Sequence, residues 1–343
     1  MITSSAFINE YYNSLYQALA PLFGSYTSII ALALSMIIFF IILFIIIAVF
    51  GYTFGWIERK VIAKAQSRHG PTYVGKYGIL QNLADLIKLI SKEHIVPSSA
   101  DTPLFQLSLI GIVVAFIFML VFIPFTPSFV GVDTGYAVII VFFILSLAPL
   151  IEFIIGWSSG NKFSSISAER SVMMLVSYEI PLLIVVASIV MLSGSYSFQA
   201  IVGSQTNNWF VFIAPLGFLI FFIALLAELE RPPFDLREAD NELIAGHLTD
   251  VSAPYYALML LLDYSRMLFG SLLIVILFFG GWLGPVIPPF IWLMIKVALV
   301  ALFIIIIRAT TVRMRIDRFL RLGWKYLMPL AVINLLLVFA FFV

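Results

Sequence analysis

The chain has 343 residues, a formal net charge of +1, only 11% charged side chains against 62% hydrophobic ones, and a mean hydropathy of +1.11. A soluble globule carries about a quarter charged residues, so this composition excludes one and points to an all-α, polytopic membrane helix bundle. The absence of cysteine excludes disulfides, Cys-ligated iron–sulfur clusters and thiol chemistry, so any redox centre must sit on a partner.

Residues 1–26 place Tyr11, Tyr12, Tyr16 and Phe23 among polar residues, the pattern of a short interfacial helix before the first span. No Lys or Arg precedes the first apolar run, which argues against a cleaved secretory signal and for a retained span. Runs of about 20 apolar residues, the length that crosses a bilayer core of about 30 Å, lie near 29–56, 105–125, 136–157, 170–193, 209–229, 255–279, 286–307 and 326–343. All of the 19 Lys and Arg except Lys296 fall in 57–104, 158–170, 231–266 and 308–325, each following an odd-numbered span. The intervening connections have none, so an eight-span topology with both termini on the non-cytoplasmic side satisfies the positive-inside rule. No linker separates a soluble unit, and the economical reading is one integral membrane domain, 1–343, with structured cytoplasmic loops at 57–104 and 230–254. In the first of these, Ile79, Leu83, Leu86, Ile87 and Ile90 repeat every 3.6 residues opposite Gln81, Asn82, Asp85, Lys88 and Lys92, which predicts an amphipathic surface helix.

Two short motifs have modest meaning. Gly70 to Lys76 matches a phosphate loop, but Tyr77 stands where Ser or Thr must hold magnesium and no strand precedes it. Gly51 and Gly55 form a GxxxG, expected to let a neighbouring helix approach. His69, His94 and His247 lack metal-site spacing.

Ionisable groups inside spans are more informative, because a charge at the bilayer centre costs about 2.5–3.5 kcal/mol even on insertion scales. Glu179 lies mid-span before Pro181, Glu152 and Glu228 lie toward cytoplasmic ends, Asp263 lies in the sixth span and Lys296 about midway along the seventh. Two readings stand for each: pairing between helices, as of Lys296 with Glu179 or Asp263, or a proton relay. For the set, the relay is preferred. Between Glu228 and Glu242 six acids face two arginines, while Pro232 and Pro233 stop the fifth span. Phe234, Leu236, Leu243 and Ile244 interleave with those acids, which suits a segment folded back on protein rather than a solvated loop.

On these residues the chain resembles the membrane-embedded H subunit (subunit 1) of the proton-translocating NADH–quinone oxidoreductase family, respiratory complex I, together with its relatives in membrane-bound hydrogenases and F420H2 dehydrogenases. The resemblance runs in order through Glu58-Arg59-Lys60, Arg68-x-Gly70-Pro71, Gly156-Trp157-Ser158-Ser159, Ser177-Tyr178-Glu179, Arg231-x-Pro233-Phe234-Asp235, Glu242-Leu243-x-x-Gly246 and Leu322-Gly323-Trp324-Lys325. Departures include Glu230 where the family usually has Asn, Asp263 for Glu, and Asp240-Asn241 for Glu-Ser.

The resemblance implies a quinone-chamber and coupling subunit of a respiratory translocase in the cell membrane, with no complete active site and no cofactor of its own. Quinone, ubiquinone or menaquinone, is the substrate, reduced from iron–sulfur clusters on partner subunits docked on the cytoplasmic loops. Antiporter-like and small membrane subunits and lipid are the other expected partners; nucleic acid is not one. By position, Glu58, Arg59, Asp85, Arg231, Phe234 and Asp235 would shape the quinone chamber. Glu179, Glu228, Glu238, Asp240 and Glu242 would couple reduction to charge movement, joined by Glu152, Asp263 and Lys296 from the intramembrane set. A stand-alone ion or solute transporter, or a passive anchor of a redox module, are the rival expectations.

Overall fold

A computed structural model describes residues 11–17, 27–237 and 240–342. Among them the chain is helical without an extended strand, the one open-ended architecture in which every backbone N–H and C=O inside hydrocarbon is satisfied within its own segment. Eight apolar helices carry the bundle: α1 (Thr27–Ala65), α2 (Thr102–Leu120), α3 (Ala137–Ser158), α4 (Lys162–Ser193), α5 (Pro215–Glu228), α6 (Ala253–Phe278), α7 (Pro289–Thr310) and α8 (Ile316–Phe342). Residues 11–17 are helical, as the short helix expected there would be; the rest of 1–26 lies outside the described residues.

Two helices differ from the sequence expectation. α1 has 39 residues, about 58 Å at 1.5 Å per residue, and runs well past the predicted end near 56. The reason is local: residues 57–65 contain no Gly or Pro and are rich in Glu, Lys, Arg and Ala, all good helix formers. Glu58 and Arg59, expected in a loop, therefore sit on a rigid helix. The fifth pass is interrupted at its start, with a single helical turn Phe210–Ile213, non-helical Ala214, and then α5 of 14 residues beginning at Pro215. α5 covers only about 21 Å, so among the described residues seven helices, not eight, are long enough to cross a bilayer unaided.

Two helices organise the packing. α4 contacts α3, α5 and α8, while α6 contacts α1, α2 and α7. Every residue of α6 from position 265 to 278 is buried, as expected of a helix apolar on all sides at the centre of a bundle. Outer helices such as α1 and α8 present Ile37, Phe44, Leu336 and Phe339 outward. The amphipathic segment forms a helix at Gln81–Ile90, with Ile79 just ahead of it. Leu83, Leu86, Ile87 and Ile90 remain exposed, so its apolar side is uncovered by the described residues of this chain.

The GxxxG of α1 behaves as expected. A Cβ on Gly51 would stand 3.3 Å from the Tyr264 Cβ, and one on Gly55 would stand 3.1 Å from the Tyr264 hydroxyl and 2.8 Å from the Asn82 amide nitrogen. These glycines let α1, α6 and the amphipathic helix meet. Gly55→Val should therefore lower thermal stability in detergent by about 1–3 kcal/mol through overpacking. Gly111→Ala on α2, where a Cβ meets nothing within 4 Å, should be neutral or slightly stabilising in the same assay.

Candidate functional site

The segment after α5 is folded back into the protein. Phe234, Leu236 and Leu243 are buried, and the Phe234 ring packs against Phe319 with centroids 5.3 Å apart. Ile244, expected to pack with them, is instead exposed, turned out by a backbone φ of 66°. Serines of α4 fasten the loop: Ser167 Oγ donates to the Arg237 carbonyl at 2.7 Å and accepts from the His247 amide at 3.1 Å, while Ser164 Oγ donates to the Gly246 carbonyl at 3.2 Å. Gly246 is required here, since its φ is 55° and a Cβ would stand 2.0 Å from the Arg237 carbonyl oxygen. From the other side, the Met314 amide donates to the Pro233 carbonyl at 3.0 Å.

The expected chamber residues divide into two groups. Glu58, buried near the end of α1, pairs with Arg231 of the loop at 2.7 Å and with Arg308 of α7. The Arg231 guanidinium also lies 5.6 Å from the centre of the Tyr264 ring, a cation–π contact. Arg59 and Asp85 pair at 2.6 Å in a more exposed position. Burial pushes the Asp85 carboxyl up, but hydrogen bonds from Arg59 and Gln81 outweigh it and hold the group below its ordinary value. Of the six expected chamber residues only Arg59 lines a cavity of about 790 Å³ that opens beside Arg68, His69, Pro71, Tyr73 and Gln81. Asp235 is half-buried.

A second cluster lies beneath the loop. Glu152 of α3 pairs with Arg237 of the loop and Arg266 of α6; Glu230 of the loop pairs with the same two arginines, with Arg237 at 2.8 Å. Arg266 also stands over the Phe116 ring at 5.1 Å. Arg237 is 1% exposed. Arg266, counted in sequence with the loop 231–266, is in fact inside α6. Glu152, expected in the relay, is thus ion-paired on both sides.

The remaining relay residues separate. Glu228 closes α5, buried against Tyr178 and within electrostatic reach of Arg266 and Glu179. Glu179 and Glu228 share a narrow crevice with Ser146 and Tyr178. Asp263 lies one turn before Arg266 on α6 and within electrostatic reach of Arg231 and Arg237. Glu242 is at the surface, bonded to Arg170 at 2.8 Å with Arg313 at 3.6 Å; the Arg170 hydrogen bond holds its carboxyl below the ordinary value. Glu238 lies outside the described residues, as does the side chain of Asp240.

Lys296 meets neither Glu179 nor Asp263. Its Nζ donates to the carbonyls of Phe279, Gly281 and Leu283 at 2.7, 3.0 and 2.8 Å, just past the end of α6. Gln205 assists, donating to the Ile276 carbonyl at 2.9 Å and accepting from the Gly280 amide at 3.0 Å. α6 ends inside protein, where orphan carbonyls have no water, and a cation at a helix C-terminus also meets its dipole favourably.

Sequence reasoning did not assign Arg237, Arg266, Arg308, Tyr178 or His247 to the site. The signal available for the first three was charge balance, because every buried carboxylate needs a cation and the nearest arginines in sequence were counted as loop charges. Among the described residues no three His, Cys, Asp or Glu side chains converge in a way that could hold a metal ion.

The bundle, the inward-folded charged loop and the intramembrane carboxylates together define a polytopic membrane protein organised around a buried charge network. Residues 18–339 match the family model described as NADH dehydrogenase. The chain is 41% identical over 284 residues to the H subunit of NADH-quinone oxidoreductase from Dehalococcoides mccartyi strain CBDB1, covering 83% of this chain and 80% of that one. It is 40% identical over 291 residues to the corresponding subunit of Geobacillus sp. strain WCH70, covering 82% and 87% respectively. The corresponding subunit of Carboxydothermus hydrogenoformans is 37% identical over 284 residues, 82% of this chain and 81% of its own length. The chain belongs to this family, that of the NADH-quinone oxidoreductase H subunits.

Lys296→Met leaves three carbonyls without a donor and should lower thermal stability by roughly 2 kcal/mol or more, with Lys296→Arg recovering part of the loss. His247, buried beside Arg237 and Arg266, has its pKa pushed down from 6.5 to about 3, first by burial and then by those two cations. The unfolded chain therefore binds the proton first. Stability from this group is complete above about pH 6.5 and falls as pH drops toward 3, by about 2 kcal/mol at pH 5. Unfolding midpoints at pH 7.5 and 5 should diverge less in His247→Gln than in the parent.

Proposed function

We propose that this chain is the quinone-chamber and coupling subunit of a proton-translocating NADH–quinone oxidoreductase, a subunit of an enzyme rather than a complete one. The observation that carries the reading is the position of Glu228. It ends α5 between Tyr178 and Glu179 on one side and the charged loop on the other, so charge changes at the loop are felt by carboxylates inside the bundle.

Glu58, Arg59, Asp85, Arg231, Phe234 and Asp235 form and support the quinone-facing side. Reduction of a quinone by two electrons creates basic oxygens that take up two protons, and the loss of protons from the chamber changes the field across the loop. Glu228, Glu179 and Asp263 answer by exchanging protons, which the low-dielectric surroundings couple over several ångströms. The electrons come from iron–sulfur clusters on partner subunits docked on 57–104 and 230–254. This chain supplies the chamber, the field and the proton sites.

Antiporter-like and small membrane subunits take the charge movement onward. The exposed apolar side of the Gln81–Ile90 helix rests on lipid or on one of these subunits. The chain forms one integral membrane unit of the cell membrane with both termini on the non-cytoplasmic face, a topology supported by its distribution of Lys and Arg.

Glu179→Gln keeps the shape and removes the proton site. In the assembled complex in vesicles, quinone reduction and proton pumping should fall together by roughly tenfold or more while assembly is retained. Coupled turnover at the parental rate would remove Glu179 from the mechanism.

A further inference from the structure

Four side chains beneath the loop alternate in sign around a closed circuit: Glu152, Arg237, Glu230, Arg266 and back to Glu152. Two belong to the loop and two to the membrane helices α3 and α6. All four are 9% exposed or less at their side chains. The circuit is charge-neutral as a whole, and removal of any one member leaves a unit charge uncompensated in a buried site. Glu230 occupies it at a backbone φ of 53°, in the left-handed region that non-glycine residues avoid and that Asn tolerates better than Glu. A strained backbone persists where surrounding contacts over-determine it, and here both arginines hold the Glu230 carboxylate.

We propose that Glu152, Glu230, Arg237 and Arg266 form a charge-balanced clamp: they position the loop on the bundle and set the field in which Glu228 and Asp263 exchange protons. They are positioning residues, and this role rests on the coupling function proposed above. Arg266 is the shared element, since it closes the circuit and acts electrostatically on both Glu228 and Asp263.

The other charges facing these two carboxylates are accounted for. Tyr178 and Glu179 reach Glu228 from α4, and Arg231 reaches Asp263 from the loop. Arg231 is itself engaged by Glu58 of α1, which also holds Arg308 of α7. His247, facing Arg237 and Arg266, is held neutral at pH 7. The clamp is therefore the part of the surroundings whose balance a single substitution upsets most directly.

Opposite substitutions separate a field from a mere brace. Glu230→Gln leaves an excess positive charge, carboxylates then retain protons less readily, and the pH profile of quinone-driven turnover in the assembled complex should move to lower pH. Arg237→Gln leaves an excess negative charge and should move it to higher pH. A unit charge about 10 Å away at an effective dielectric of about 20 gives displacements on the order of one pH unit. The double variant Glu230→Gln/Arg237→Gln restores neutrality and should return the profile most of the way to the parent's. Equal loss at every pH in both single variants, or a double variant displaced as far as either single one, would overturn the proposal. Where neither single variant assembles, assembly is the readout: recovery in the double variant supports charge balance, and failure there overturns it. That readout does not depend on quinone turnover, so absence of quinone-driven pumping in the parent complex would sink the coupling function without deciding the clamp.

Discussion

A charge removed from water has to be balanced by another charge close by, and this constraint shapes the centre of the molecule. Taking an ion out of water costs several kcal/mol even after relaxation, and the cost is offset only where an opposite charge and good hydrogen bonds are in place. Arg237, though it lies in a loop, is 1% exposed. It is tolerable there because Glu152 and Glu230 both face it. Glu58 is tolerable near the end of α1 because Arg231 and Arg308 reach it from the loop and from α7. Apart from Arg237–Glu230, both on the loop, each pairing joins segments far apart in sequence, so the pairs define which helices surround the loop as well as stabilise it.

The polar anchors extend the same logic to the backbone. Ser164 and Ser167 satisfy groups of the loop where it lies on α4, and Lys296 with Gln205 satisfies the end of α6. Without these donors the loop would expose unpaired carbonyls to the bundle interior, where nothing replaces water. Lys296 thereby terminates the central helix.

Much of this was legible in the sequence. The helical class, the order of the apolar helices, the GxxxG contact and the inward fold of the acidic segment follow from hydropathy, charge distribution and small-residue spacing, all local properties. The family resemblance grouped Glu58 with Arg231, and the two are ion-paired. What was not legible depends on contacts between distant segments. Nothing near Lys296 in sequence announces that three carbonyls past α6 will converge on it. Arg266 already lay inside the apolar run 255–279, but nothing local announces that it meets Glu152 and Glu230. The extension of α1 through Glu58 was readable from residues 57–65, which hold no breaker, but the apolar run ends at 56 and hydropathy reports the membrane rather than the helix.

The end of α5 ties these features together. The C-terminal residue of this 14-residue helix, Glu228, is buried inside protein. A buried carboxyl there needs partners close by. Tyr178 lies beside it, and the Arg266 cation is within electrostatic reach. That cation, buried on α6, requires acids of its own, and Glu152 and Glu230 provide them. Glu230 in turn draws in Arg237, and with it the rest of the loop. A carboxylate sits inside the protein at the end of α5, and the loop that follows folds inward because the buried charges around it have to be matched in pairs.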